Sequence, residues 1–206
     1  MSTVPTREEL EASGGRSVPD VLGSGLRLVF VGINPGLYSA RQGHYFARST
    51  NRFWPAFTAS KLSARVRGGL AVDVLRPEHD AALLGFGIGF TDVVKRASGN
   101  ATELDASDFE TGAPRLLQKL RRSAPRVACF HGLTAYRPFL ALALQVERRA
   151  PALGLQAEVV GETRLFVIPN PSPANAHFTL ADQTAWYDRL ADFLAGSESG
   201  PAPARS

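Results

Sequence analysis

Short runs of apolar residues recur along the chain, and each is ended by turn-forming residues. The first run, Leu28-Val29-Phe30-Val31, contains two β-branched residues and stops at Gly32. An apolar run of this length is typical of a strand that is buried on both faces. Similar runs occupy residues 126–130 and 165–168. Together they predict a central sheet that is covered on both sides.

Between these runs, apolar residues recur with a helical period. Leu116, Leu117 and Leu120 share one helix face, and Ser107 followed by Glu110 predicts a capping box at the start of that helix. The other predicted helices begin at Asn51 (with Asn51 as the cap and Pro55 in the first turn), at Pro77, at Thr134 and at residue 179 or 180.

The alternation of strands and helices predicts an α/β protein. We expect a three-layer α/β/α sandwich with a mostly parallel central sheet. Val159-Val160 and the run at 165–168 lie on either side of Gly161-Glu162, a pattern that predicts a hairpin.

Two segments lack a clear period. Residues 37–50 are polar, aromatic and basic, and we predict an irregular functional loop there. Its basic side chains are suited to contact phosphates, and Phe46 either stacks on a nucleic-acid base or plugs the loop onto the core. Residues 85–94 contain three glycines and predict a loop that passes close to another backbone.

Both ends of the 206-residue chain are rich in Gly, Ser and Pro. We predict poorly ordered segments at residues 1–25 and 195–206, and a single domain over residues 26–194.

The net charge and the cysteine content limit which partners and which metal or disulfide sites the protein can have. The net charge of +4 and the pI near 9.6 permit a polyanionic partner, although an Arg-rich composition alone would also produce them. The lone cysteine, Cys129, excludes an internal disulfide, a Cys-rich zinc site and a cysteine-held iron–sulfur cluster. With neither a signal peptide nor a long apolar run, we expect a cytoplasmic, nucleoid-associated protein of prokaryotic type.

Two buried strands are predicted to end in Asn-Pro turns. Asn34 follows the first run, and Asn170 follows the run at 165–168. In a parallel sheet such ends can face each other across one crevice, where ligands bind. Most Asn-Pro turns carry no chemistry, so this pattern alone leaves both a structural and a functional interpretation open.

Four motifs carry a resemblance to a known family. They are Gly32-Ile33-Asn34-Pro35-Gly36, Asn51-Arg52-Phe53-Trp54, Gly87-Ile88-Gly89-Phe90-Thr91 and Asn170-Pro171-Ser172. In their order and spacing they resemble the mismatch-specific uracil-DNA glycosylase and thymine-DNA glycosylase family of the uracil-DNA glycosylase superfamily. The resemblance covers residues 26–194.

This resemblance implies hydrolysis of the N-glycosidic bond of a uracil that is flipped out of mismatched duplex DNA during base excision repair. It assigns water positioning to Asn34 and base stacking to Phe46. Backbone groups at Ile33, together with Asn51, Thr91 and Asn170, would bind the substrate. The loop of Ser172, Pro173, Ala174 and Asn175 would bind DNA by filling the gap that the flipped base leaves.

The chain departs from the family pattern at two positions. Ala174 is small where the family often has a bulky apolar wedge, while Pro173 resembles a faster branch of the superfamily. Asp92 stands where relatives carry an amide or a lysine. Because it lies between apolar residues, Asp92 is either a turn cap or a second catalytic group.

Other functional classes fit the sequence less well. A flavodoxin-like nucleotide-binding module would need a phosphate-binding fingerprint that the first turn lacks. A binding protein for damaged or abasic DNA with little catalysis stays open. Ser172 lacks a nucleophile elbow, and the four histidines show no metal-ligand spacing. We therefore expect a monomer that acts on uracil-containing double-stranded DNA without a cofactor or metal and without membrane contact.

Overall fold

The computed structural model describes Glu8, Ala12, residues 17–147 and residues 150–198. Five strands form one sheet in the order β2-β1-β3-β5-β4. Neighbouring strands are parallel except β4 and β5, which are antiparallel. The strands are β1 (Leu28–Gly32), β2 (Ile88–Asp92), β3 (Val127–His131), β4 (Gly154–Val160) and β5 (Thr163–Ile168).

Helices cover both faces of the sheet. The α-helices of the described residues are α1 (Leu37–Gln42), α2 (Phe53–Ala59), α3 (Ala64–Leu70), α4 (Ala106–Ser123), α5 (Leu133–Ala143) and α6 (Leu180–Glu198). Short 3-10 helices span Lys61–Ser63, Pro77–His79, Ala81–Phe86 and Ala101–Glu103. None of the helices in the described ranges is both long and apolar enough to cross a bilayer.

Alternate residues of β1 belong to two separate cores. Leu28 and Phe30 pack with α2, α3 and α6, whereas Val29 and Val31 pack with α4 and α5. This alternation follows from the two-residue period of a strand, and it builds three layers around the sheet. The predicted α/β/α sandwich with a mostly parallel sheet is therefore confirmed.

Residues 85–94 form more regular structure than we predicted. They contain the edge strand β2 rather than a loop, because the N-terminal segment covers that edge. Val21 and Phe90 exchange two backbone hydrogen bonds of 2.9 and 2.8 Å. A Cβ on Gly89 would stand 2.4 Å from the oxygen of Val21, so the predicted close approach of two backbones is correct.

Three predictions about helices differ from the structure. Residues 37–42 form helix α1, which ends at Gly43 in the left-handed region, although we predicted an irregular segment. The capping box of α4 is formed by Asp105 and Asp108 rather than by Ser107 and Glu110. The helix predicted at 77–84 is divided into two 3-10 helices. Several neighbouring polar residues are able to cap the same helix, and the folded structure decides which of them does so.

The domain begins earlier than the predicted boundary at Leu26. Val18 is buried, and Val21 pairs with β2, so residues 17–25 pack on the domain. At the other end, α6 begins at Leu180 as predicted but continues to Glu198, beyond the predicted end at residue 194. Apart from Glu8 and Ala12, residues 1–16 and residues 199–206 lie outside the described residues.

Candidate active site

A cleft of about 1230 Å³ opens at the carboxyl ends of the parallel strands. Its wall consists of residues 32–39, 98–101 and 131–134, most of 45–51 and 169–178, and Val18, Asp92 and Leu153. This edge of a parallel sheet is where α/β proteins bind ligands. The two predicted Asn-Pro turns therefore meet in one cleft, as we expected.

Asn34 is held in place through its amide nitrogen. Nδ2 donates to the backbone oxygen of Arg96 at 2.9 Å, to Ser98 Oγ at 2.8 Å and to the oxygen of Pro35 at 3.2 Å. These bonds occupy the donor side of the amide, which leaves Oδ1 as the group able to accept a hydrogen bond from water. The arrangement can orient a water molecule in the cleft.

Asp92 is a buried carboxylate in the wall of the same cleft. It lies opposite Gly32 in the register of β1 and β2, and it is 3% exposed. Oδ2 has no hydrogen-bond partner among the described residues, and Lys95 Nζ lies 3.5 Å away. Burial raises the pKa of Asp92 to about 6, and the charge of Asp20 also raises it, against the opposing effect of Lys95 and Lys119.

The turn-cap alternative for Asp92 has no support in this geometry. A capping carboxylate accepts hydrogen bonds from nearby backbone N–H groups, yet no such bond to Asp92 is formed in the described part of the chain. A buried carboxylate with a raised pKa in a cleft is typical of a functional group.

Gly32 makes room for the Asp92 carboxylate. A Cβ at Gly32 would stand 2.4 Å from Asp92 Oδ1 and 3.9 Å from Phe46 Cζ. We expect Gly32→Ala to destabilise the protein by about 1–3 kcal/mol through overpacking and to displace the carboxylate. Thermal unfolding measures the first effect. Gly36→Ala is the matched control, since Gly36 has φ −69° and open space around it. Equal melting temperatures for both variants would contradict this account.

An ionic network lies behind Asp92, and sequence reasoning missed it. Asp20 accepts hydrogen bonds from Lys95 Nζ at 2.9 Å and from Thr91 Oγ1 at 2.8 Å, and it pairs with Lys119 at 2.7 Å. These partners lower the pKa of Asp20 despite the opposing effect of burial. Lys95 Nζ also donates to the hydroxyl of Tyr45 at 3.0 Å. The network fixes the lysine whose charge reaches Asp92.

Thr91 does not line the cleft, which corrects its predicted role in substrate binding. The cleft wall includes Asp92 at the end of β2 but not Thr91. Thr91 is fully buried and donates to Asp20 instead.

Tyr45 and Phe46 have different positions. Tyr45 is buried, stacks on Phe90 at a centroid distance of 5.2 Å, and donates its backbone N–H to Asp80 at 2.9 Å. Phe46 is half-buried, lines the cleft and stacks on Phe53 at 4.4 Å. Its φ of 54° is a strained value for a non-glycine residue. Tyr45 is thus the plug, and Phe46 presents an aromatic surface to the cleft.

The other predicted substrate-binding residues lie in the cleft wall. Ile33 lines it, and its carbonyl accepts from the N–H of Val94 at 2.8 Å. Asn51 lines it as well, and Oδ1 accepts from the N–H of Phe53 at 2.9 Å. The N-cap of α2 is Arg52 rather than the predicted Asn51, which lies one residue earlier and forms a turn into the helix. Asn170 Oδ1 accepts from the N–H of Ser172 at 2.9 Å and shapes the turn after β5.

The predicted DNA-binding loop forms one side of the cleft mouth. Ser172, Pro173, Ala174 and Asn175 all line the cleft, and Pro173 and Ala174 are exposed. Asn175 Nδ2 donates to the oxygen of Asn170 at 2.9 Å, so the loop folds back on its own start. The structure thus brings every predicted site residue except Thr91 to this cleft.

His131 lines the cleft, although our sequence analysis considered the histidines only as metal ligands. It ends β3, is 1% exposed and lies beside Phe46 at a centroid distance of 5.0 Å. Nε2 is 3.1 Å from the hydroxyl of Tyr187, and Nδ1 has no partner among the described residues. Burial lowers its pKa to about 3, so the ring is neutral. The signal that identified Asn34, a polar residue ending a buried strand, also applies to His131.

The described residues contain no group of three or more His, Cys, Asp or Glu side chains arranged to hold a metal ion.

Comparison with known proteins identifies the family. The family model of the uracil DNA glycosylase superfamily matches residues 19–194, well over half of the chain. The chain is also similar to the solution NMR structure of a candidate uracil DNA glycosylase from Methanosarcina acetivorans, with 21% identity and a TM-score of 0.48. That match covers 88% of this chain and 98% of the other. On the strength of the family match, the chain belongs to the uracil DNA glycosylase superfamily.

Proposed function

We propose that this protein is a monofunctional, mismatch-specific uracil-DNA glycosylase. It would flip uracil out of mismatched duplex DNA and hydrolyse the N-glycosidic bond in base excision repair. The observation that carries the proposal is the meeting of a water-orienting amide (Asn34), a buried carboxylate (Asp92) and an aromatic surface (Phe46) in one cleft of a superfamily member.

Flipping is a physical requirement of this chemistry, because the bond to be cut is inaccessible inside a stacked duplex. The flipped base would stack on the ring of Phe46, and Phe46 in turn stacks on the buried ring of Phe53. The loop of Ser172 to Asn175 at the cleft mouth would occupy the gap in the duplex. Arg48, an exposed residue of the cleft wall, would contact a phosphate.

Hydrolysis needs a positioned water molecule and stabilised charge. Asn34 Oδ1 would orient the water, since Nδ2 is already occupied. The ionised carboxylate of Asp92 would accept a proton from that water and stabilise the positive charge that develops on the sugar. Backbone N–H groups around Ile33 would stabilise the departing uracil anion. Each step uses a side chain or backbone group of the cleft wall.

Single-turnover rates on matched substrates test the proposed specificity. Uracil is placed opposite G, opposite A and in a single strand of the same sequence. We expect the G·U duplex to react faster than the A·U duplex, because a mismatched base is easier to unpair. We also expect it to react faster than the single strand, which offers no gap for the loop of Ser172 to Asn175 to fill. Equal rates on all three substrates would contradict mismatch specificity. Duplexes with thymine, ethenocytosine or hydroxymethyluracil opposite G define the range of accepted bases.

The pH dependence of the rate follows from the raised pKa of Asp92. A carboxyl group with a pKa of about 6 is protonated below that pH and cannot accept a proton from water. We expect the single-turnover rate on a G·U duplex to be constant above about pH 7 and to fall about tenfold per pH unit well below pH 6. A rate that stays constant from pH 7 to pH 4.5, with the protein folded, would contradict the role of Asp92.

A further inference from the structure

Three backbone carbonyls of the loop at the cleft mouth converge on one side chain, Arg52. Its guanidinium donates to the oxygen of Ser172 at 2.7 Å, to that of Asn175 at 2.6 Å and to that of Phe178. The backbone N–H of Arg52 also donates to the oxygen of Pro171 at 3.0 Å. One residue thus binds four carbonyls within an eight-residue segment.

Residues 171–178, which we call the mouth loop, contain no helix or strand. Within the mouth loop, the N–H of Asn175 donates to the oxygen of Ser172 at 3.0 Å. The start of the loop is fixed through Asn170, whose oxygen accepts from Asn175 Nδ2 and from Gln183 Nε2 at 3.0 Å. Past that start, Arg52 makes the bonds that connect the loop to the body of the domain at 172, 175 and 178.

The geometry requires an arginine rather than another cation. The three carbonyls are spread over seven residues, and a planar fork with five N–H donors can reach all of them, whereas a lysine ammonium is a compact point charge. Among the described residues, Nε of Arg52 is buried and has no hydrogen-bond partner. The bonds from Nη1 and Nη2 to the three carbonyls hold the side chain in place although this donor is unsatisfied. Arg52 is not part of the cleft wall, and its guanidinium nitrogens Nη1 and Nη2 donate to carbonyls of the loop.

Arg52 also lies between two residues of the base-binding wall. Asn51 lines the cleft, and Phe53 stacks under Phe46. The N-terminus of α2 therefore carries both the support for the base-stacking ring and the attachment of the mouth loop.

We propose that Arg52 is a positioning residue that holds the mouth loop in its DNA-entering shape before DNA binds and couples that loop to the base-stacking wall. This proposal rests on the proposed function, because it assigns the loop to the gap in the duplex. A loop ordered in advance loses less conformational entropy on insertion. A single-stranded substrate has no gap to fill, so the contribution of Arg52 is specific to duplex DNA.

Kinetics on two substrates test the proposal. Arg52→Gln is expected to slow single-turnover uracil release from a G·U duplex by about 10- to 100-fold, and release from a uracil-containing single strand by less than about threefold. Arg52→Lys keeps the positive charge but lacks the planar guanidinium, and we expect it to slow the two reactions by the same factors as Arg52→Gln. Arg48→Gln removes the same charge from the mouth without touching the loop, and we expect it to slow both substrates equally. An equal effect of Arg52→Gln on both substrates, or full duplex activity of Arg52→Lys, would overturn the proposal.

Hydrogen exchange separates failure of this proposal from failure of the proposed function. In DNA-free protein, Arg52→Gln and Arg52→Lys are expected to speed amide exchange in residues 172–178 at least about tenfold, with β1 and β3 unchanged. Arg48→Gln is expected to leave that exchange unaltered. Unchanged exchange in the mouth loop would overturn the proposal even if the wild type releases uracil. Faster loop exchange in a protein that releases no uracil would instead disprove the proposed function.

Discussion

Asp92→Asn is expected to lower the single-turnover rate of uracil release from a G·U duplex by about 10²- to 10⁴-fold at pH 8, while DNA affinity is retained. The substitution preserves shape but removes the group that accepts a proton and stabilises the sugar cation. The residual rate should also lose the decline below pH 6, because the group that titrates there is absent. Rapid-quench kinetics with excess enzyme measure the rate, and fluorescence anisotropy with an abasic duplex measures the affinity.

The same substitution is expected to stabilise the fold at high pH. The folded pKa of Asp92, about 6, exceeds the ordinary value of 3.8, so the buried carboxyl favours folding when protonated and opposes it when ionised. Stability is thus lost as pH rises from about 4 through 6, by up to about 3 kcal/mol. Asp92→Asn avoids this loss, and its melting temperature should exceed that of the wild type at pH 8 but not at pH 4. Unchanged rates together with unchanged stability at pH 8 would contradict both roles of the buried carboxylate.

Asn34→Ala is expected to reduce the single-turnover rate by about 10²- to 10³-fold, the size of effect seen when a fixed polar group at a reacting centre is removed. The variant loses Oδ1, which orients the attacking water, together with the three bonds that Nδ2 donates. The rate is measured on a G·U duplex at pH 8, where Asp92 is ionised.

Ser98→Ala is the matched control for Asn34→Ala. It removes one acceptor of the Asn34 amide but keeps the donated bond to the oxygen of Arg96, so Asn34 stays in the cleft. We expect a loss of rate of about tenfold or less, in line with one misaligned hydrogen bond. If Ser98→Ala were as damaging as Asn34→Ala, the support of Asn34, rather than its Oδ1, would carry the effect.

The architecture of the sheet was predictable where the sequence carries uninterrupted apolar runs. β1, β3 and β5 are buried on both faces, so their residues cannot alternate with polar ones and the runs are conspicuous. β2 escaped prediction because two glycines flank Ile88 and because its outer edge is paired with Val21, a residue far away in sequence. The edge of a sheet depends on what covers it, and that information is not local.

The location of the candidate site at the strand ends was predictable from the sequence, whereas the hydrogen bonds and ion pairs of its side chains were not. Asn34 and Asn170 follow buried strands, so their meeting at one edge follows from parallel topology. The bonds from Asn34 to Arg96 and Ser98 span more than sixty residues and need the folded chain. Thr91 was misassigned because motif membership does not reveal that its side chain is buried and that its hydroxyl donates to Asp20. Asp20 and Arg52 act through partners on other segments, which no local pattern shows.

Quantification of free uracil tests the central claim most directly. A G·U duplex is incubated with excess wild-type protein in EDTA at pH 8, beside the double variant Asn34→Ala/Asp92→Asn, and the released base is measured by chromatography. We predict one free uracil per duplex with the wild type, leaving an alkali-labile site, and no uracil from the double variant over the same time. Absence of free uracil with the wild type, or equal release by the double variant, would contradict the assignment of this cleft as the active site of a uracil-DNA glycosylase.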